Sequence, residues 1–590
     1  MPDTQSHPQP DLAVMQQWTH AIGRAQQLIL EFWANQAGSE GAGATALQAF
    51  NPFQTLAQFW SDNSARKFAD RQAQLLDQSI QMWNRFLSTG QAPPLADAAD
   101  RDRRFNSDAW RAQPFFDLIQ QSYLLIADHM LASVDDMEGL DPAQRQRLKF
   151  ATRTAIEALS PANFAFTNPE VIEHTIESGG RNLVDGLQHM LADLARGQIT
   201  QTTADAFAVG GNLAATPGKV VFENRLFQLI QYAPSTPDVH EIPIVIFPPW
   251  INRFYILDLG PQKSFVKWAV EQGLTVFVVS WKSADETLRD VTARDYVIEG
   301  QVKAIDVVRD LLGVPSVNAI GYCVAGTTLA MTLAWLAARG EAGKVASATF
   351  LTTQVDFEDA GDLKVFIDDD QLALASSLAE NTGYLDGRYM AAVFNLLRGQ
   401  DLIWNYVVNN YLMGKEYRPF DLLFWNSDVT NLPARWHHSY LADLYRDNKL
   451  ARGEVSIDGT PIDLGRIQTS SYVQAGREDH IAPPRSVWKM TGILKGPLRF
   501  VLAGSGHIAG VINPPAASKY QYWLNQGPAE SLDDFIAGAT EVGGSWWPDW
   551  LGWLDAFGGG TVKAKGARIP GKSRKYPAIE DAPGRYVKMR

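Results

Sequence analysis

Val317-Asn-Ala-Ile-Gly-Tyr-Cys-Val-Ala-Gly326 is the stretch from which the fold is read. It is an apolar strand, then a Gly-flanked turn with Cys323 at its apex, then a helix rich in Ala and Leu from Thr327 to Arg339. A nucleophile in a G-x-[nucleophile]-x-G turn stands at the carboxyl edge of a parallel sheet, where the next amide, that of Val324, points at a developing oxyanion. The amino end of the helix lies against the sulfur and favours thiolate. A free cysteine is more often a small buried hydrophobe, so this reading needs support from elsewhere in the chain.

That support lies downstream. Ser471-Tyr-Val-Gln-Ala475 is a short strand running into Gly476-Arg-Glu-Asp479-His480, and Leu498-Arg-Phe-Val-Leu-Ala503 runs into Gly504-Ser-Gly-His507. An acid after one strand and a histidine after the next, in the order nucleophile, acid, base, is the α/β-hydrolase arrangement. Cys323, Asp479 and His507 are therefore the candidate triad, with His507 taking the proton from Cys323 and Asp479 holding the imidazole tautomer. His480 is the rival base, but its adjacency to Asp479 at one strand end points the two side chains apart. The oxyanion needs two donors. One is the Val324 amide, and the second is expected from the loop Pro248-Pro-Trp-Ile-Asn252, at Trp250 or Ile251. A thiol nucleophile exchanges one thioester for another almost isoenergetically, so an acyl-CoA donor suits Cys323 better than an ordinary ester.

The surrounding chain fits a buried sheet. Ile242-Pro-Ile-Val-Ile-Phe247 and Leu274-Thr-Val-Phe-Val-Val-Ser280 are continuous apolar runs of the kind covered on both faces in parallel sheets. Lys219 to Tyr232 reads as a hairpin turning at Glu223 to Arg225, and Ala348 to Thr352 as a further strand. Together these predict an α/β-hydrolase doubly wound sheet over residues 201–590. Residues 1–200 read as a mostly helical domain. There, Met15, Trp18, Ile22, Ala25, Ile29 and Phe32 recur at steps of three and four, Ala37 to Ala44 is a small-residue hinge, and a second amphipathic segment runs from about Phe53 to Leu87. From about 355 to 465 the chain is helical and aromatic-rich with no buried-strand run, which predicts a cap over the site. The tryptophans are expected to be mostly core, with those of the cap and Trp546-Trp547 as candidates to line an apolar path.

Composition narrows the function. Of 590 residues, 46% are hydrophobic and 20% charged, enough apolar material for a large core in two or three domains. The net charge of −13 argues against binding nucleic acid in bulk. The exception is residues 561–590, where nine Lys or Arg face only Glu580 and Asp581; this reads as a solvated basic tail. One cysteine forms no intrachain disulfide, and there is no signal peptide pattern and no apolar run long enough to span a bilayer. A cytoplasmic protein is the expectation. No ligand-spaced cluster of His and Cys is present in the sequence, so neither a metal nor a cofactor is predicted.

Beyond the elbow, the chain resembles the class I polyhydroxyalkanoate synthases. The resemblance rests on Asp102-Arg-Arg-Phe-Asn-Ser-Asp-Ala-Trp110, Ser160-Pro-Ala-Asn-Phe164, Thr167-Asn-Pro-Glu170, Tyr255-Ile-Leu-Asp258, Gly476-Arg-Glu-Asp-His-Ile481, Gly506-His-Ile-Ala-Gly-Val-Ile-Asn-Pro-Pro515, Gly544-Ser-Trp-Trp-Pro-Asp549 and Pro583-Gly-Arg-Tyr-Val587. It implies polymerisation of (R)-3-hydroxyacyl-CoA, chiefly 3-hydroxybutyryl-CoA, into polyester with release of CoA. Cys323 would be the acylated nucleophile, His507 the general base, and Asp479 the acid with a share in activating the substrate 3-hydroxyl. A homodimer, a growing polyester chain, a granule surface and granule-coating proteins are implied with it. Two positions depart from the family pattern. The elbow has Ala325 where the family has a second glycine, putting a methyl where helix and strand are expected to pack closely, and Arg253-Phe254 stands where Lys-Tyr is frequent. Two other functions share parts of this pattern: a thioesterase or polyester depolymerase of the same fold, and a noncatalytic protein coating a hydrophobic inclusion.

Overall fold

The structure, a computed structural model, describes residues 65–91 and 102–590. The segment from Asp11 to Asn35, the hinge from Ala37 to Ala44 and the start of the second amphipathic segment lie outside the described residues. By contacts the chain falls into two compact units. One comprises the residues up to Thr202 together with Arg388–Arg418; the other comprises Thr203–Gly387 and Pro419–Arg590. Part of the stretch read as a cap thus belongs, by its contacts, to the helical unit.

The helical unit is built from α1 (Ala65–Thr89), α2 (Pro114–Asp135), α3 (Pro142–Ala158), α4 (Pro169–Glu177) and α5 (Arg181–Arg196). Local chemistry sets their starts. Asp141 accepts from the Gln144 amide and the Gln144 side chain accepts from the Asp141 amide, a reciprocal cap ahead of Pro142. Asn168 caps α4 through the Glu170 and Val171 amides. The Asp102–Trp110 motif has a packing role here: Arg104 forks onto Asp102 and reaches the Tyr123 hydroxyl at 2.7 Å, while Phe105 and Trp110 enter a core with Phe116 and Leu124. On α1, Met82 packs with Leu118 and Leu125, whereas Leu76, Ile80, Trp83 and Leu87 stay exposed. Arg388–Arg418 is tied into this unit by Asn182 donating to the Leu412 carbonyl and Tyr411 donating to Asp193.

The second unit carries an eleven-stranded mixed sheet. In chain order its strands are β1 (Gly218–Glu223), β2 (Phe227–Tyr232), β3 (Ile244–Phe247), β4 (Val276–Trp281), β5 (Val317–Tyr322), β6 (Val345–Leu351), β7 (Ser470–Gly476), β8 (Leu498–Ala503), β9 (Gln521–Leu524), β10 (Thr540–Gly543) and β11 (Glu580–Asp581). Their spatial order is β10-β9-β8-β7-β6-β5-β3-β4-β2-β1-β11. The six inner strands from β8 to β4 run parallel, and the flanking strands on both sides pair antiparallel. β3, β4 and β5 are buried at every residue, as continuous apolar runs in a two-faced sheet should be. The predicted hairpin is β1–β2, and the order β3, β5, β6, β7, β8 is the doubly wound half that the elbow implied. Among the described residues, no helix is long and apolar enough to cross a membrane.

Residues 561–590 correct the expectation of a solvated tail. Thr561–Lys563 pairs with Asp238–His240, and β11 pairs with β1. Arg585 bridges Glu223 and Glu580, Lys575 pairs with Asp310, and the buried Arg568 donates to the carbonyls of His240 and Glu241. An acidic body supplies carboxylates for these cations, so the segment folds back onto it. Trp546, Trp547 and Trp550 are core; their indoles donate to Gly510 O, Val511 O and Thr349 Oγ1 at 2.8, 2.9 and 3.0 Å. Two of those acceptors lie in the loop that follows His507, which accounts for the Gly544–Asp549 motif as a brace.

Candidate active site

Cys323 sits between β5 and helix α6 (Val324–Ala338) with φ 52° and ψ −125°. Positive φ is strained for a residue with a Cβ, and this turn is held from several directions. The Cys323 amide donates to Leu351 O at 2.9 Å, and its carbonyl accepts from the Gly326 and Thr327 amides at 2.9 and 3.2 Å. Gln301, fully buried on a π-helical stretch, donates to Ala325 O at 2.9 Å and accepts from Thr332 at 2.6 Å, pinning the first turns of α6. The tight approach of helix to strand falls at Gly321, where an added Cβ would lie 2.5 Å from Gly326 Cα. Ala325 is fully buried beside this contact, its carbonyl 3.1 Å from the same added Cβ.

β7 and β8 are parallel neighbours. Their carboxyl ends therefore deliver Asp479 and His507 side by side, with His507 Nδ1 2.7 Å from Asp479 Oδ2. The other carboxylate oxygen, Oδ1, accepts from the Ile481 and Ala482 amides at 2.8 and 2.9 Å, which aims the acid. With Nδ1 engaged by Asp479, the other ring nitrogen is left for Cys323, which is near enough to act on the imidazole electrostatically. Burial by itself would lower the imidazole pKa, but the charges of Asp479 and then of Cys323, and the hydrogen bond to Asp479, raise it well above the usual histidine range. His507, not His480, is the histidine brought to Asp479 and Cys323.

The amides of Val324 and Ala325 open α6, where a helix supplies no acceptor for them. Across the site, Asn252 N–H closes a turn onto Pro249 O at 3.3 Å, and the turn's inner amides are those of Trp250 and Ile251. The Trp250 ring is buried against Tyr440, Trp436 and Tyr296 at centroid distances of 4.9, 5.3 and 5.4 Å. Tyr440 and Tyr445 come close enough to the sulfur to feel its charge; burial first, and then in Tyr440 its tyrosine neighbour and in Tyr445 the sulfur, keep both phenols neutral. Tyr322 donates to the His507 carbonyl at 3.1 Å. Sequence reasoning missed Gln301, Tyr322, Tyr440 and Tyr445. Tyr322, adjacent to the nucleophile, was the one with a local signal; the others lie 22 to 122 residues from Cys323 and have none.

Comparison with known proteins matches this architecture. A family profile described as "Poly-beta-hydroxybutyrate polymerase (PhaC) N-terminus" fits residues 101–269, and one described as "alpha/beta hydrolase fold" fits residues 243–514. A poly(3-hydroxyalkanoate) polymerase subunit PhaC from Rhizobium meliloti is 45% identical over 91% of this chain and 88% of its own. The chain belongs to the poly(3-hydroxyalkanoate) polymerase family. The PhaC subunit of Cupriavidus necator is 44% identical over 95% of this chain and 94% of its own, and the polymerase of Methylorubrum extorquens is 47% identical over 84% and 82%. Within this family the chain carries its cysteine at a hydrolase elbow, which separates it chemically from the serine that an ester hydrolase uses there.

Proposed function

We propose that this chain polymerises (R)-3-hydroxyacyl-CoA, chiefly 3-hydroxybutyryl-CoA, into polyhydroxyalkanoate. The observation that carries the reading is the Asp479–His507 contact at 2.7 Å, with Cys323 on the strained elbow near the same ring, in a chain of this family. The Cys323 thiolate adds to the thioester carbonyl, and the oxyanion is met by the Val324 amide and by that of Trp250 or Ile251. Collapse breaks the carbon–sulfur bond to CoA, whose sulfur takes the proton from His507, leaving the acyl group on Cys323. In elongation, His507 accepts the proton of a 3-hydroxyl, with Asp479 holding the imidazolium that forms. That oxygen attacks the thioester of the other acyl unit, an ester forms, and a thiol leaves.

In this reading residues 1–200 serve granule, partner or dimer contacts, residues 201–590 form the catalytic domain with a cap at about 355–465, and the enzyme works in the cytoplasm at polyester granules as a homodimer with granule-coating proteins. CoA release from (R)-3-hydroxybutyryl-CoA by the purified chain and by Cys323→Ala, with mass analysis of the product, tests the activity. Long polyester from wild type and no CoA from the variant support it. CoA with only free hydroxybutyrate makes the chain a thioesterase, and no release by either moves the weight to a noncatalytic role or a very different substrate.

A further inference from the structure

Arg253 follows the Trp250–Ile251 turn by two residues and is a buried charge whose partners come from far along the chain. Its side chain is 1% exposed. Nε reaches Asp428 Oδ1 at 3.2 Å, and Nη2 donates to the carbonyls of Val429 at 2.8 Å and Met589 at 2.7 Å. The same Asp428 takes Arg590 Nη1 on Oδ1 at 3.0 Å and the Tyr255 hydroxyl on Oδ2 at 2.7 Å. The loop is gripped at its backbone too, since Arg253 O accepts from Trp425 Nε1 at 2.7 Å.

Burying a charge pair is a poor route to stability, because desolvation offsets most of the attraction and an apolar pair of similar volume does as well. A buried guanidinium with three acceptors in fixed directions does something an apolar contact does not: it sets the position of the backbone that carries it. That backbone is the loop read above as the second oxyanion donor. The segment that meets it is anchored independently, with Val587 buried, the Tyr586 hydroxyl donating to Asn224 O at 2.9 Å and the Tyr586 amide donating to Gln228 Oε1 at 3.1 Å.

We infer that Met589 and Arg590 form a latch which, through Arg253 and Asp428, holds the Trp250–Ile251 turn where its amide meets the oxyanion. Arg253 is then a positioning residue for acyl transfer. The inference rests on the proposed oxyanion site, and it gives the family departure at this position a role: lysine supplies one ammonium for the same carbonyls, whereas arginine also engages Asp428 through Nε.

The test compares two inhibitors on the full chain, on Arg253→Met, on Arg253→Lys and on a chain shortened by Met589 and Arg590. A trifluoromethyl ketone analogue of the acyl-CoA forms a covalent adduct with Cys323 in which the sulfur–carbon bond places the negative charge on oxygen; the matching alkyl thioether of CoA binds without forming an oxyanion. Arg253→Met and the shortened chain should lose on the order of ten- to hundredfold in affinity for the ketone. Affinity for the thioether and the rate of Cys323 alkylation by iodoacetamide should stay within about twofold of wild type, and Arg253→Lys should keep most of the ketone affinity. Undiminished ketone binding in both disrupted variants overturns the latch. Parallel loss of ketone, thioether and alkylation overturns it as well, since that is general damage to the fold. Should wild type show no preference for the ketone, the oxyanion reading itself fails and the latch with it. If Arg253→Met does not fold, the shortened chain gives the same readout.

Discussion

Gly326 lies against Thr353 so closely that a Cβ on the glycine would fall 1.9 Å from the threonine Oγ1. The same hydroxyl donates to Cys323 O at 3.2 Å, so one side chain supports the strained nucleophile and fixes how near its helix comes to β6.

Gly326→Ala is therefore expected to push α6 outward and to lower both stability and turnover. Overpacking of this kind costs about 1–3 kcal/mol or more. Thermal melting and CoA release would both fall, and adding Thr353→Ala, which removes Oγ1 and Cγ2 from the clash, should restore part of the melting temperature. An unchanged melting temperature in the single variant would contradict the contact.

Asp479→Asn keeps the shape of the acid and removes its charge. With the main charge that raises the His507 pKa gone, the imidazolium is less favoured and the ring loses its oriented tautomer, so acylation should drop by at least about a hundredfold. Rapid-quench measurement of the first CoA released reads this directly. In a pH series, the apparent pKa assigned to His507 should move down, because the group that holds its proton is neutral.

Gln301→Leu is predicted to strip the buried Thr332 hydroxyl of its acceptor, while Ala325 O keeps the Thr328 hydroxyl as donor at 3.1 Å. Each unsatisfied buried group costs about 1–3 kcal/mol. Urea unfolding should show a loss of that order for the Thr332 hydroxyl, with activity falling because the elbow helix loses its clamp. Gln301→Glu keeps an acceptor for Thr332 and, folded with its acid protonated, one O–H donor toward Ala325 O, and should then be intermediate.

His437 supplies a pH test away from the catalytic ring. Burial, and then the neighbouring charge of His438, lower its pKa from 6.5 to about 4. A depressed folded-state value means that the unfolded chain binds the extra proton first. Stability is thus intact above about pH 6.5 and is lost as pH falls from there toward 4, by up to about 3 kcal/mol. His507, whose folded pKa is raised, contributes in the opposite sense: its stabilisation is present below the unfolded value and is lost as pH rises through the folded one. Comparing wild type with His437→Phe isolates the first effect, and the variant should lose less stability between pH 7 and 5. Equal acid sensitivity would show that His437 is not kept neutral by burial.

The helical and sheet-bearing regions, the strands β3 to β8 and the Asp479–His507 pair were legible because each rests on neighbours in the chain. Continuous apolar runs mark two-faced strands, glycines mark the elbow, and polar residues placed just past strand ends mark the sheet's working edge. Predicted strands Ser471 to Ala475 and Leu498 to Ala503 agree with β7 and β8 to within a residue at either end. What the sequence did not carry is the antiparallel extension by β9 and β10, the aromatic wall of Trp250, Trp436 and Tyr440, and the return of residues 561–590 onto the body.

The division has a physical cause. The sequence by itself determined which segments bury both faces and which turn presents a nucleophile, since burial period and backbone strain are properties of a few consecutive residues. Only the tertiary structure decided the partners: that Arg253 meets Asp428 and Met589, that Gln301 clamps the elbow helix, and that the basic segment returns to pair with carboxylates of the body. A charge or an amide written in a sequence states what it must bond to but not where, because the acceptor arrives from a segment tens or hundreds of residues away and is chosen by packing.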